Sequence, residues 1–173
     1  MKVLIIIDML KGFCSKGFPL SLPDSTADIE KYIKAKIIQV NEERGKVIFV
    51  CDNHSLTDPE IENPYPPHCI KGSIEAEIID ELIPFSGTST ILTKNTLSIF
   101  LNTGVEELLQ EIQPTEVEIT GVCTDISVLF AVYELRIRGY KVVVSSKGVL
   151  PLEHDKQSES INYFKERLGA TII

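Results

Sequence analysis

Continuous apolar runs ending at a polar or charged residue recur along the chain, and helical stripes separate them. The first run, residues 2–8 (KVLIIID), alternates too little for a strand with one wet face. It reads as a strand buried on both sides, as in a parallel sheet. Residues 24–44 carry Ile29, Ile33, Ile37 and Val40 on one helical face, with Asp24 or Ser25 as cap and Gly45 as stop. Residues 46–52 (KVIFVCD) form a second buried strand that also ends in an acid. The pattern continues with a short helix over 74–82, a strand over 89–93, a helix over 104–112 and a strand over 116–122. A helix over 124–138, apolar on most sides, leads to a strand over 140–145. A last helix from Asp155, with the stripe Ile161, Phe164 and Leu168, stops at Gly169, and 170–173 is the sixth strand. This alternation implies an α/β fold: one domain over 1–173, a Rossmann-like six-stranded parallel sheet, right-handed crossovers and helices on both faces. A chain of 173 residues can bury such a core without disulfides or metals to staple it.

Charge and cysteine usage exclude several classes. Lys and Arg number 17 against 25 Asp and Glu, a net charge of −8, so the mean field repels phosphate. Neither nucleic acid nor an anionic membrane is an expected partner. Cys14, Cys51, Cys69 and Cys123 are scattered without a C-x-x-C pair, which favours neither a disulfide framework nor a thiolate zinc site. The initial apolar run is too short for a signal segment, and no run approaches the roughly 20 residues of a membrane span. A cytoplasmic protein with reduced thiols is expected. Neither G-x-G-x-x-G nor a P-loop is present.

Sites in parallel sheets gather at the carboxyl ends of strands. That rule selects Asp8, Asp52, Lys94 and the turn 122–127. Asp52 and His54 are two apart at a strand end, which puts them on one side. His68 returns from a long loop, 53–73, whose Pro59, Pro64, Pro66 and Pro67 forbid regular structure. Asp-x-His with a distant His is a reasonable ligand set for Zn²⁺, Mn²⁺ or Fe²⁺, and Glu60 in the same loop is a candidate fourth ligand. The alternative is ordinary surface histidines. Asp8 is either a cap or a buried acid usable as a base. Lys94 is either a charge partner for it or simply solvated. In GVCTDIS (121–127), outward-pointing helix amides would stabilise a thiolate or an oxyanion, while Thr124 or Asp125 would equally serve as a cap. Phe13 and Tyr65 are either walls for an aromatic ligand or core. Cys14, Cys51 and Cys69 read as packing, and His154 as a surface residue.

Six segments in order carry a resemblance: IIIDMLKGF (5–13), CDNH (51–54), PYPPHCIKGS (64–73), TKNTLSIF (93–100), GVCTDISV (121–128) and the tail 154–170. They resemble the isochorismatase-like cysteine hydrolases, and within them the nicotinamidase branch, over nearly the whole chain. The resemblance implies an Asp–Lys–Cys triad whose first two members fall on Asp8 and Lys94. It implies metal ligands at Asp52, His54 and His68, with Glu60 resembling a fourth, and zinc before manganese or iron. Phe13 and Tyr65 fall where the family flanks a pyridine ring. A non-proline cis peptide before Cys123, with backbone N–H groups at Cys123 and Ser127, forms the implied oxyanion hole. The implied activity is hydrolysis of nicotinamide to nicotinate and ammonia, in a family that is often oligomeric. The helix 124–138 is compatible with an interface between copies or with core.

One position departs from the pattern. The nucleophilic cysteine of G-V-x-T-D-x-C-V falls on Ser127, and Cys123 stands four residues earlier, where the family's nucleophile does not sit. The chain is then an inactivated version of an enzyme, a relative that binds small aromatic ligands without turnover, or an enzyme in which Ser127 attacks. An amidase for another small amide or ureido substrate is the enzymatic rival. An ether-cleaving isochorismatase fits the ligand set less well.

Overall fold

The computed structural model describes residues 1–173 apart from Pro23, Ser25 and Glu62. Among the described residues, six parallel strands form one sheet in the order β3-β2-β1-β4-β5-β6. They are β1 (Lys2–Ile7), β2 (Lys46–Asp52), β3 (Thr90–Lys94), β4 (Glu116–Val122), β5 (Val142–Leu150) and β6 (Thr171–Ile172), and the helices include α1 (Lys11–Cys14), α2 (Ala27–Glu42) and α3 (Ile83–Ser86). β1 is central, with Ile5 opposite Ile48 on one side and Ile119 on the other. Its side chains alternate between two cores, as its continuous apolar sequence requires. Val3, Ile5 and Ile7 pack with α4 (Val105–Ile112), α5 (Ser127–Ile137) and α6 (Lys156–Glu166). Leu4 and Ile6 pack with the Ile29, Ile33, Ile37 and Val40 stripe of α2 (Ala27–Glu42). Each such side chain, fully buried, contributes on the order of 2 kcal/mol before entropy is counted. Among the described residues no helix is long and apolar enough to cross a membrane.

Several boundaries differ from those the sequence predicts. Helix α2 starts at Ala27, and its cap position is Thr26, without a side-chain cap bond. Of the predicted caps, Ser25 lies outside the described residues, and Asp24 pairs instead with His154 at 2.6 Å. The predicted helix 74–82 is only a 3₁₀ turn over Ile74–Ala76. Beyond it the backbone bonds across to residues 9–11: Lys11 N–H donates to the Glu77 carbonyl, and Ile79 N–H to the Met9 carbonyl. Those partners replace the i→i−4 bonds a helix would need. A four-residue helix, Ile83–Ser86, follows with Pro84 in its first turn. β5 begins later and runs further than expected, with a register irregularity against β4 between Ile119 and Gly121.

Two backbone features aim the strand ends. Asp8 follows β1 with φ +51°, a conformation aspartate tolerates better than most residues, and the carboxylate turns toward β2. Gly121, φ +113°, lies against that bend: a Cβ there would sit 2.0 Å from the Ile7 carbonyl oxygen and 2.7 Å from its nitrogen. Gly121→Ala is therefore expected to lose about 3 kcal/mol or more in urea unfolding. A loss below about 1 kcal/mol would mean that β1 and β4 part easily at this point. The Val122–Cys123 peptide is cis, as is Asn63–Pro64.

Candidate active site and metal centre

Lys94 and Asp52 are partners in the β3–β2 ladder, and Asp8 is one strand further on. Strand-end geometry thus gathers three charges in the interior. Lys94 Nζ is fully enclosed, 2.8 Å from Asp8 Oδ2, and also in contact with Asp52 Oδ1. The Asp52 amide donates to Asp8 Oδ1 at 2.8 Å. Burial pushes the Asp8 carboxyl up and Asp52 pushes it further, so that it reaches about 6 despite Lys94. Burial acts on Asp52 in the same sense, but Lys94 and the two neighbouring histidines outweigh it and hold that carboxyl well below the usual carboxylate range. Burial works against the charge on Lys94, and the two carboxylates overcome it, so the lysine stays protonated.

The other face of Asp52 meets two imidazoles. His54 and His68 are both buried, their ring centroids 4.7 Å apart. One donor atom from each of Asp52, His54 and His68 lies within 4.8 Å of the others. His68 Nδ1 is 2.8 Å from the Pro66 carbonyl, which fixes the proton on Nδ1 and leaves the Nε2 lone pair free, 3.7 Å from Asp52 Oδ2. Neither ring nitrogen of His54 has a hydrogen-bond partner. Two imidazoles and a carboxylate converging, with buried ring nitrogens unsatisfied, fit a divalent ion of the Zn²⁺, Mn²⁺ or Fe²⁺ type. Glu60 does not join this cluster: its Oε1 accepts the Leu97 amide at 2.7 Å.

Ser127 opens α5 and lines a pocket with Asp52, His68 and Cys123. Phe13 and Tyr65 meet His68 edge-on, at 5.8 and 6.0 Å between centroids, and form two walls of the same pocket. Leu20, Leu97, Ile126 and Leu152 complete it. The cavity between these walls is narrow, about 20 Å³. A larger open groove beside Tyr32, Ser146 and Gln157 lies away from these charges.

The turn before α5 is not capped as the sequence suggests. Helix α5 starts three residues later than predicted, behind Ile126, without a side-chain cap. Asp125 instead accepts the Leu152 amide at 2.9 Å and so holds a pocket wall. The Ile126 and Val128 amides both donate to the Cys123 carbonyl, and Thr124 donates to Leu150; the Cys123 and Ser127 amides are not used in holding the turn. Burial, then Asp125 and Asp8, push the Cys123 thiol well above its ordinary value, which disfavours it as a nucleophile. Cys51 and Cys69 are buried, Cys14 is partly so, and all are free.

Comparison with known proteins decides the lineage. A model of the isochorismatase domain matches residues 2–173. The chain belongs to the isochorismatase family. Among solved members, nicotinamidase PncA from Bacillus subtilis is 28% identical, with a TM-score of 0.91 over 99% of this chain and 98% of its own. Pyrazinamidase/nicotinamidase from Streptococcus mutans is 27% identical, with a TM-score of 0.92 over all of both chains. N-carbamoylsarcosine amidase from Thermoplasma acidophilum is 26% identical, with a TM-score of 0.87 over 99% of this chain and 94% of its own. The six-stranded parallel sheet of this isochorismatase-family member is the one expected from its alternating sequence, and of the expected helices only that over 74–82 is missing. The apolar pocket walls Leu20, Leu97, Ile126 and Leu152 carried no such signal, because isolated leucines in loops look alike whether they line a site or fill a gap. Asp58 and Asn95, close to the histidines and Lys94, were also missed. The spacing of Asp58, four residues after His54 in the ligand loop, was the available clue.

Proposed function

We propose that this chain is built for hydrolysis of a small aromatic amide of the nicotinamide type, with a divalent ion, zinc foremost, at Asp52, His54 and His68. The observation that carries this reading is the pocket lining. Beside Asp52, His68, Cys123 and Ser127 its walls are aromatic and aliphatic, with Phe13 and Tyr65 each edge-on to His68, and among the described lining residues there is no lysine or arginine. A carbamoyl amino acid or a chorismate-like dianion brings carboxylates that such walls would leave unpaired. A neutral pyridine carboxamide brings none.

The bound ion would supply Lewis-acid contact to the ring nitrogen and hold the ring in place. Residue 127 attacks the amide carbon, and its proton passes to Asp8, whose raised pKa suits a base near neutrality. Lys94 keeps Asp8 oriented and offsets its charge. The carbonyl oxygen, now an oxyanion, is held by the amides of Cys123 and Ser127. Ammonia departs with the proton returned by Asp8, and water then frees the acid from the ester or thioester. With serine at 127, attack is slow, so the chain as it stands binds better than it turns over.

Calorimetry on the zinc-loaded chain tests the reading. Nicotinamide is expected to bind at least about tenfold more tightly than N-carbamoylsarcosine, and stripping the metal with a chelator to weaken nicotinamide binding by a similar factor. Equal affinity for the two ligands, or nicotinamide affinity indifferent to the chelator, would count against it.

A further inference from the structure

His54 is 1% exposed, and its unpartnered nitrogens face two different carboxylates. Nε2 lies 3.5 Å from Asp52 Oδ1, on the side where the ligand atoms converge. Nδ1 lies 3.4 Å from Asp58 Oδ2, slightly beyond ordinary hydrogen-bond length. Asp58 is itself held in place. Its Oδ2 accepts the Ser55 amide at 2.8 Å, and its Oδ1 accepts the Ser55 hydroxyl at 3.1 Å and the Asn95 side-chain amide at 3.0 Å. Asn95 directly follows Lys94, so the grip on Asp58 is anchored to the end of β3. A carboxylate can only accept, so next to a neutral imidazole it selects the tautomer with the proton on Nδ1 and the lone pair on Nε2.

We propose that Asp58 is a positioning residue for the metal centre: it takes the His54 Nδ1 proton as a hydrogen bond, and so presents Nε2 to the cation. The proposal rests on the reading that Asp52, His54 and His68 hold a divalent ion. His68 has the same device with a neutral acceptor, the Pro66 carbonyl. An anionic acceptor makes the imidazole more basic, so His54 is the stronger donor of the two. The segment from His54 to Asp58 is thereby tied to Asn95, which links the ligand loop to the strand that supplies Lys94.

The test is a titration of metal-free full-length protein with Zn²⁺, in competition with a chromophoric chelator. Asp58→Ala is expected to weaken zinc binding about 10- to 100-fold, and Asp58→Asn, whose amide oxygen still accepts from Nδ1, to recover most of the loss. Zinc affinity in Asp58→Ala within about threefold of the unmodified chain overturns the proposal and leaves the metal reading standing. An unmodified chain that binds no zinc overturns both. A second readout does not depend on the variants folding: ¹⁵N shifts of the imidazoles in the zinc-bound unmodified chain. Zinc on Nε2 with a proton on Nδ1 of His54 supports the proposal, and zinc on Nδ1 overturns it.

Discussion

Ammonia release from nicotinamide, with zinc or manganese present, is expected to rise by about 10³-fold or more when Ser127 is replaced by cysteine. The two side chains differ by one atom, so the pocket keeps its shape. What changes is acidity. A thiol near pKa ~8.5 ionises readily at the first turn of a helix and near a buried cation, while a hydroxyl stays protonated until the moment of attack. Residue 127 is the first of α5, so the helix amides favour an anion at its side chain. Asp8, held at about 6, can take a thiol proton with little mismatch, whereas drawing one from a hydroxyl is strongly uphill. The measurement is initial rate on both forms side by side. If the serine form comes within about tenfold of the cysteine form, Ser127 is itself a competent nucleophile and the expectation fails. If neither form releases ammonia while calorimetry still registers nicotinamide, the pocket is a receptor rather than a catalyst.

Lys94→Met is expected to remove about 3–5 kcal/mol of stability in urea unfolding of the metal-free protein, and to abolish turnover in the cysteine form. The lysine amine has no exposure and lies between two buried carboxylates. Without it, Asp8 and Asp52 face each other with no counter-charge, and one must take up a proton or draw water inward. Adding Asp8→Asn to Lys94→Met is expected to recover part of the loss, because one uncompensated charge has gone. A loss under about 1 kcal/mol in Lys94→Met would show that water already reaches these carboxylates, contrary to their burial.

Strands were more legible than helices in this sequence, for a physical reason. Residues 46–52 and 116–122 match β2 and β4 to the residue: the first is an apolar run that ends in an acid, and the second alternates Val117 and Ile119 with polar neighbours, a period that only a strand satisfies. Residues 74–82 carry enough apolar spacing for a helix, yet their backbone pairs with residues 9–11, a long-range partner that no local pattern reveals. The same limit moved the start of α5 to Ser127, since the Ile126 amide turns back onto the Cys123 carbonyl just before the helix begins. Within the site, Asp8, Asp52 and Lys94 stood out because charge is rare at the ends of buried strands, and His54 and His68 because Asp-x-His with a distant His is a ligand spacing. Glu60 stood out because it shares the loop with His68, but its carboxylate serves a backbone amide, a use that composition cannot distinguish from ligation. The bend at Asp8 depends on the bare backbone of Gly121 across the sheet, more than a hundred residues away in sequence.

Asp8, Asp52 and Lys94 stand at the ends of three neighbouring strands, whereas Phe13, Leu20, Tyr65, Leu97 and Leu152 all come from the connections above them. Strand spacing is set by backbone hydrogen bonds at about 4.8 Å and does not drift when a connection is rewritten. A lineage built this way can trade one substrate for another by editing loops while its charged centre is inherited unchanged. It can equally lose its nucleophile at a single codon and keep a folded, selective pocket.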